Sequence, residues 1–262
     1  MAGAAMPSAD ALGGIEPRVE TRGRVQAFVC EPAEPTCTFL YLHGGGYRLG
    51  EAAGWIPFAA RLATATSARV VLVDYKLAPE HPFPAAIHDV VAAYDVVRAQ
   101  GLPVVVGGDS AGGGLAAALA VACVESGVEV PAGLVLLSPW LDLTVRAATF
   151  ESRRTRDQLF SAEAATEAAD SYLQGVAPDD PLASPLFADL RGFPPTLLFA
   201  GGAEVLLEDT LAFASRLGQA DVTFECHVVT DMQHVWPTIF PDLVESQRAV
   251  SDIVEFVARV TS

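Results

Sequence analysis

Apolar residues recur along this chain in two alternating rhythms. Short, nearly continuous β-branched runs appear at TFLYL from Thr38, VVLVDY from Val70, VVVGG from Val104, GLVLLS from Gly133, TLLFAG from Thr196 and TFECHVV from Thr223. Runs of this length and type predict strands buried on both faces, as in a parallel sheet. Between them, over residues 55–66, 85–99, 111–126, 209–219 and 243–260, the pattern predicts amphipathic helices. Two further β-rich pieces, 18–21 and 25–30, flank RGR and read as a hairpin. The expectation is an α/β fold: a doubly wound, mostly parallel sheet of about eight strands with helices on both faces.

One interval breaks the rhythm. From Leu141 to Pro194 only a helical piece at 161–173 stands among polar and Pro-rich stretches. Long excursions after the carboxyl end of a strand are where α/β enzymes place lids, so residues 141–194 are expected to form a cap inserted in a single domain, 1–262.

Composition narrows the function. Just over half of the 262 residues are hydrophobic, enough for a large core without disulfides or metal. Cys30, Cys37, Cys123 and Cys226 lack C-x-x-C spacing and read as free thiols. No apolar run approaches a membrane span and the first ten residues lack signal-peptide character, so a soluble, cytoplasmic protein is expected. The formal charge of −16 excludes nucleic acid and anionic membranes as partners. Arg153, Arg154 and Arg156, the one basic cluster, read as a solvated loop. The oligomeric state, a homodimer included, is left open.

The strand at Val104 runs into Gly108-Asp109-Ser110-Ala111-Gly112, a G-x-S-x-G sequence between strand and helix. Glycines allow the sharp turn that lifts a serine hydroxyl above a sheet, so Ser110 is the candidate nucleophile. A tight Gly-rich βα turn is the simpler alternative; a phosphate loop is disfavoured because no Lys-Ser/Thr follows. Upstream, His43-Gly44-Gly45-Gly46 ends another strand, where backbone N–H groups can turn inward toward a substrate oxygen, together with the N–H of Ala111.

HGGG, DYKLAPEHPFPAA, GDSAGGGLAA, SPWLDLT and DPLASPLFADLRGFPPTLL, in this order, resemble the hormone-sensitive-lipase-like carboxylesterases of the α/β-hydrolase fold. The resemblance spans about Tyr41 to Trp236. It implies an eight-stranded sheet, a Ser-acid-His triad, small or short-acyl carboxylic esters as substrates, and Gly45 and Gly46 as oxyanion donors. Members usually carry a longer helical N-terminal arm than the 42 residues before His43, so a reduced cap is expected; two helices over residues 1–15, lying across Ser110, would contradict it.

Of five histidines, His43 lies in the glycine loop as a brace, His81 in a Pro-rich turn, His88 on an early helix and His227 inside a strand. His234 follows the last strand, where a carboxyl-end catalytic group belongs, and matches the family's catalytic His in position. Met232, Val235 and Trp236 read as packing neighbours, and Asp231 is too near in sequence to orient the ring from behind. The acid must emerge from a strand end beside this loop. Glu204, just past TLLFAGG, does so, whereas Glu208 and Asp209 suit a helix start, where acidic residues favour the dipole; Asp209→Asn is therefore expected to be near neutral. Family members usually carry Asp at the position of Glu204, which raises the question of whether one added methylene preserves the geometry.

The resulting expectation is a serine hydrolase with Ser110, Glu204 and His234 as triad and Gly45, Gly46 and Ala111 as oxyanion hole, needing no cofactor or metal. A non-hydrolytic dehydratase, lyase or cyclase, or a binding receptor on the same fold, are the alternatives. Tyr47, Trp140 and Leu141 are candidates for pocket or core.

Overall fold

A computed structural model describes residues 7–22 and 24–262. Eight strands form one sheet: β1 (Arg18–Arg22), β2 (Val25–Cys30), β3 (Cys37–Leu42), β4 (Ala68–Val73), β5 (Val104–Asp109), β6 (Gly133–Leu137), β7 (Thr196–Gly201) and β8 (Phe224–Val229). Their spatial order is β1-β2-β4-β3-β5-β6-β7-β8. β1–β2 and β2–β4 pair antiparallel and every other pair is parallel. Arg22 faces Val25 across the expected hairpin, whose Gly23 lies outside the described residues.

Side chains alternate between the two faces of each strand, as the two-residue period requires. Leu40 and Leu42 of β3, with Val71 and Val73 of β4, join one core with α2 (Ala85–Arg98), α3 (Ala111–Ser126) and α6 (Leu207–Gln219). Phe39 and Tyr41, with Val70 and Leu72, enter the opposite core under α1 (Ile56–Thr66) and α8 (Val244–Val260). This two-sided cover is why the central strands read as unbroken apolar runs. Among the described residues β8 pairs only with β7, and its Phe224 and Val228 are exposed.

The boundaries differ from expectation in places. β4 begins at Ala68 and ends at Val73, two residues short of the predicted end; beyond it Asp74 accepts Ala52 N and the Tyr75 hydroxyl donates to His43 O. α6 begins at Leu207, two residues early. Between β6 and β7 the described residues contain no strand, only α4 (Thr149–Ser152), α5 (Ala162–Leu173) and a 3-10 turn at Pro185–Phe187. Ser161 caps α5 by accepting the N–H of Ala164. Residues 7–15 hold one 3-10 turn, Asp10–Leu12, and Leu12 and Ile15 pack into the core under α1 and α8. Residues 1–6, part of the segment in which two helices would contradict a reduced cap, lie outside the described residues.

Candidate active site

Ser110 occupies the corner between β5 and α3 with φ 53° and ψ −121°. A non-glycine residue rarely adopts this conformation, so the surroundings must hold it. Its N–H donates to Leu137 O at 2.9 Å, and its carbonyl accepts from Trp140 N at 3.0 Å and Gly114 N at 3.1 Å. Gly112, two residues on, lets α3 press against the end of β3: a Cβ there would collide with Leu42 O. The sequence after the serine thereby brings the Ala111 N–H beside the glycine loop.

That loop turns at Gly45, whose φ of 122° is open to glycine alone, and a Cβ there would overlap Leu49 O. The Gly45 carbonyl accepts Leu49 N at 2.9 Å and Arg48 N at 3.2 Å, closing the turn. Among the described residues, the N–H groups of Gly45, Gly46 and Ala111 have no backbone acceptor, which leaves them free to serve a ligand oxygen. His43 braces the loop, as expected: its Nδ1 lies 2.7 Å from Gly44 O, its ring stacks on Tyr75 at 4.4 Å, and the Tyr75 hydroxyl donates to His43 O at 2.6 Å. Burial lowers its pKa and so disfavours the charged ring.

Asp109 is a further brace that the motif reading passed over. Its carboxylate is buried and accepts the Tyr41 hydroxyl at 2.9 Å. Burial pushes its pKa up to about 6, offset by donors that include Tyr41, Gly44 and Trp55. The signal was present in the sequence, as an acid locked between glycine and serine in GDSAGG.

His234 reaches this corner from the loop after β8. Its Nε2 lies 2.9 Å from Ser110 Oγ, and its Nδ1 lies 3.2 Å from Glu204 Oε2. Glu204 follows β7 and has no solvent exposure, and Ser110 and His234 are also buried. Ser138, at the end of β6, fixes the His loop by accepting Val235 N at 3.0 Å. His227 instead stacks on Phe199, away from this cluster, and Asp231 forms an ion pair with Arg156.

Burial is the largest influence on both partners and acts against charge on each. It raises the Glu204 pKa, with contacts to His234 and Ser138 working against it. For His234 it is outweighed by the Glu204 hydrogen bond and charge, aided by Asp157 and Asp109, so the imidazole pKa is raised. A histidine so placed can accept a proton and remain stabilised as imidazolium.

Residues 39–238 match a family model described as alpha/beta hydrolase fold. An acetyl-hydrolase of Streptomyces hygroscopicus is 39% identical over 255 residues, covering 95% of this chain and 85% of that protein. An esterase of Acinetobacter venetianus is 36% identical over 228 residues, 86% of this chain and 75% of that one. The crystal structure of an esterase from the bacterial hormone-sensitive lipase family superposes with a TM-score of 0.91 at 38% identity, covering 100% of this chain and 94% of its own. EstE5, in a crystal soaked with p-nitrophenyl butyrate, gives 0.91 at 35% identity, with 98% and 87% covered. This chain belongs to the hormone-sensitive-lipase-like esterases.

In this esterase-family chain the insertion after β6 packs directly on the glycine loop. Tyr47 stacks on Tyr172 of α5, Arg48 pairs with Glu167 at 2.7 Å, and a Cβ on Gly46 would press on Ala168. Tyr47, Trp140 and Leu141 are all buried and pack into the core.

Asp209 stands in the first turn of α6, as predicted, and it is buried there. Its Oδ2 accepts Leu141 N at 2.9 Å and Asp142 N at 3.0 Å, anchoring the start of the insertion. Burial pushes its pKa up to about 8 against these two hydrogen bonds, with Asp142 and Glu208 adding to the rise. Glu208 also contacts the insertion, at Thr149 N. Arg156 lies in an exposed loop, as expected, and pairs there with Asp231.

Proposed function

We propose that this protein hydrolyses small or short-acyl carboxylic esters by acyl transfer to water. Ser110 Oγ attacks the ester carbonyl while His234 Nε2 takes its proton. Glu204 keeps the Nδ1 proton in place and stabilises the imidazolium as it forms. The carbonyl oxygen becomes negative in the tetrahedral intermediate and is met by the N–H groups of Gly45, Gly46 and Ala111. Collapse of the intermediate expels the alcohol, which takes the proton from His234 and leaves an acyl group on Ser110. Water, deprotonated by the same imidazole, then attacks this ester and frees the acid. None of these steps calls on a metal or cofactor, and residues 141–194 act as the cap over the site.

The observation that carries this reading is the continuous path from Ser110 Oγ through His234 to Glu204 Oε2, at 2.9 Å and 3.2 Å. The longer Glu204 side chain lies within hydrogen-bonding reach of the ring, which supports the reading that the added methylene leaves it able to orient His234. The relatives' names point to the same chemistry, an acetyl-hydrolase and an esterase among them. The test is a p-nitrophenyl ester series of increasing acyl length on the wild type and on Ser110→Ala. Turnover is expected to be greatest for short chains and to drop by at least about 10³-fold in the variant. Retention of wild-type turnover in folded Ser110→Ala would refute the assignment.

A further inference from the structure

Residues 156–160 of the insertion, RDQLF, touch both loops that carry the imidazole and its carboxylate. Asp157 is at their centre, and only 9% of it is exposed. Its Oδ1 accepts Leu159 N at 2.9 Å and Phe160 N at 3.0 Å. These two bonds alone make an ordinary Asx turn, which shapes a loop and implies nothing more. The other oxygen leaves the turn: Oδ2 accepts the N–H of Val205 at 2.8 Å, 48 residues away and adjacent to Glu204.

The turn also aims Phe160. Its ring lies over the His234 imidazole, with centroids 5.8 Å apart and planes 14° from parallel, and meets Trp140 edge-on at 5.5 Å. Polar contacts reinforce the same approach. Gln158 N donates to Gln233 Oε1 at 3.1 Å, Gln233 Nε2 donates to Arg156 O at 3.2 Å, and Arg156 pairs with Asp231 at 2.5 Å.

We propose that Asp157 is a positioning residue for ester cleavage, holding Glu204 in register through Val205 N–H and His234 through the turn that seats Phe160. The inference rests on the reading of Ser110, His234 and Glu204 as the triad. One carboxylate then aligns two loops from different strand ends, so the insertion and the reacting groups are set together. Displacements on the order of 1 Å from a residue outside the chemistry can cost about 10²-fold in rate, so such a tie has kinetic weight. The carboxylate acts through space as well. The charged groups facing His234 are Glu204, Asp157 and Asp109, and each favours the imidazolium.

The test is Asp157→Asn, assayed with a short p-nitrophenyl ester across pH. The amide keeps the size but cannot satisfy all three N–H donors while carrying a negative charge. A fall in kcat of about 10- to 100-fold is expected, with KM within about twofold. The acidic limb of kcat/KM should move down by about half a pH unit or more, because a negative charge near the imidazole is gone. Simple loss of folded protein would lower the amplitude without moving that limb. Phe160→Leu, which leaves the carboxylate and its hydrogen bonds in place, is expected to lower kcat about tenfold by freeing the ring.

Wild-type kcat and an unmoved acidic limb in folded Asp157→Asn overturn the proposal. If that variant does not fold, wild-type kcat in Phe160→Leu overturns it instead. Ser110→Ala separates the two levels. Its collapse together with an unaffected Asp157→Asn sinks this inference alone, while its retention of turnover sinks the triad reading beneath it.

Discussion

The ring of Tyr47 lies flat against that of Tyr172, with centroids 4.0 Å apart and planes 7° from parallel. Tyr47 directly follows the glycines of the proposed oxyanion hole, and Tyr172 belongs to the insertion, so loop and insertion share one stretch of core. Truncating a buried aromatic side chain typically costs about 3 to 5 kcal/mol. Tyr172→Ala is therefore expected to lose about 3 kcal/mol in denaturant unfolding, and ester kcat should fall under conditions where the variant remains folded. Unchanged kcat would mean that the glycine loop keeps its shape without the insertion.

Glu204 offers the sharpest contrast between charge and shape. Glutamine at this position keeps the volume but can donate to Nδ1, favouring the wrong tautomer, and it cannot balance an imidazolium. A loss of about 10³- to 10⁴-fold in kcat is expected for Glu204→Gln. Glu204→Asp keeps the charge but withdraws it by one methylene, and should retain far more turnover than the amide. Equal activity in Glu204→Gln and wild type, measured with the same short ester, would remove Glu204 from the mechanism.

The pH profile follows from the raised His234 pKa. Only neutral imidazole can accept the serine proton, so activity is lost as pH falls through the histidine pKa. Because the Glu204 contact holds that value above the ordinary 6.5, the half-point of the acidic limb in kcat/KM should lie above pH 6.5. A limb centred well below that value would show that burial outweighs the carboxylate.

Asp209 should make stability fall toward alkaline pH. Unfolded, its carboxyl releases a proton near pH 3.8, whereas in the folded protein it holds the proton until about pH 8. The folded state thus binds more protons across this window, and stability from this group declines as pH rises from about 4 to 8, by at most about 1.4 kcal/mol per pH unit. Asp209→Asn can still accept Leu141 N and Asp142 N through its amide oxygen but has no such titration. Its melting temperature relative to wild type should therefore rise between pH 5 and pH 8. A constant difference would show that Asp209 is ionised throughout.

Much of the site was legible as local sequence. Ser110 was marked by glycines that only a strained βα corner requires, and Gly45 by a loop in which φ is positive. Glu204 stood out because its neighbours Glu208 and Asp209 already had a place in a helix start. Asp209 does stand in a helix start, but nothing in its own segment marks its burial or its partners. Its partners, Leu141 N and Asp142 N, lie 68 and 67 residues away. Asp157 was hidden in the same way, because its neighbouring arginines made the stretch look like a polar surface loop.

The sequence by itself determined the alternating strands and helices, the two-sided core and the backbone corners of the site, because these follow from periodicity and from the conformations that glycine permits. Tertiary structure decided which carboxylates are buried and what they hold. Desolvation and hydrogen bonding depend on elements that meet only after the chain has folded, and Asp109, Asp157, Glu204 and Asp209 each take their role from such a meeting.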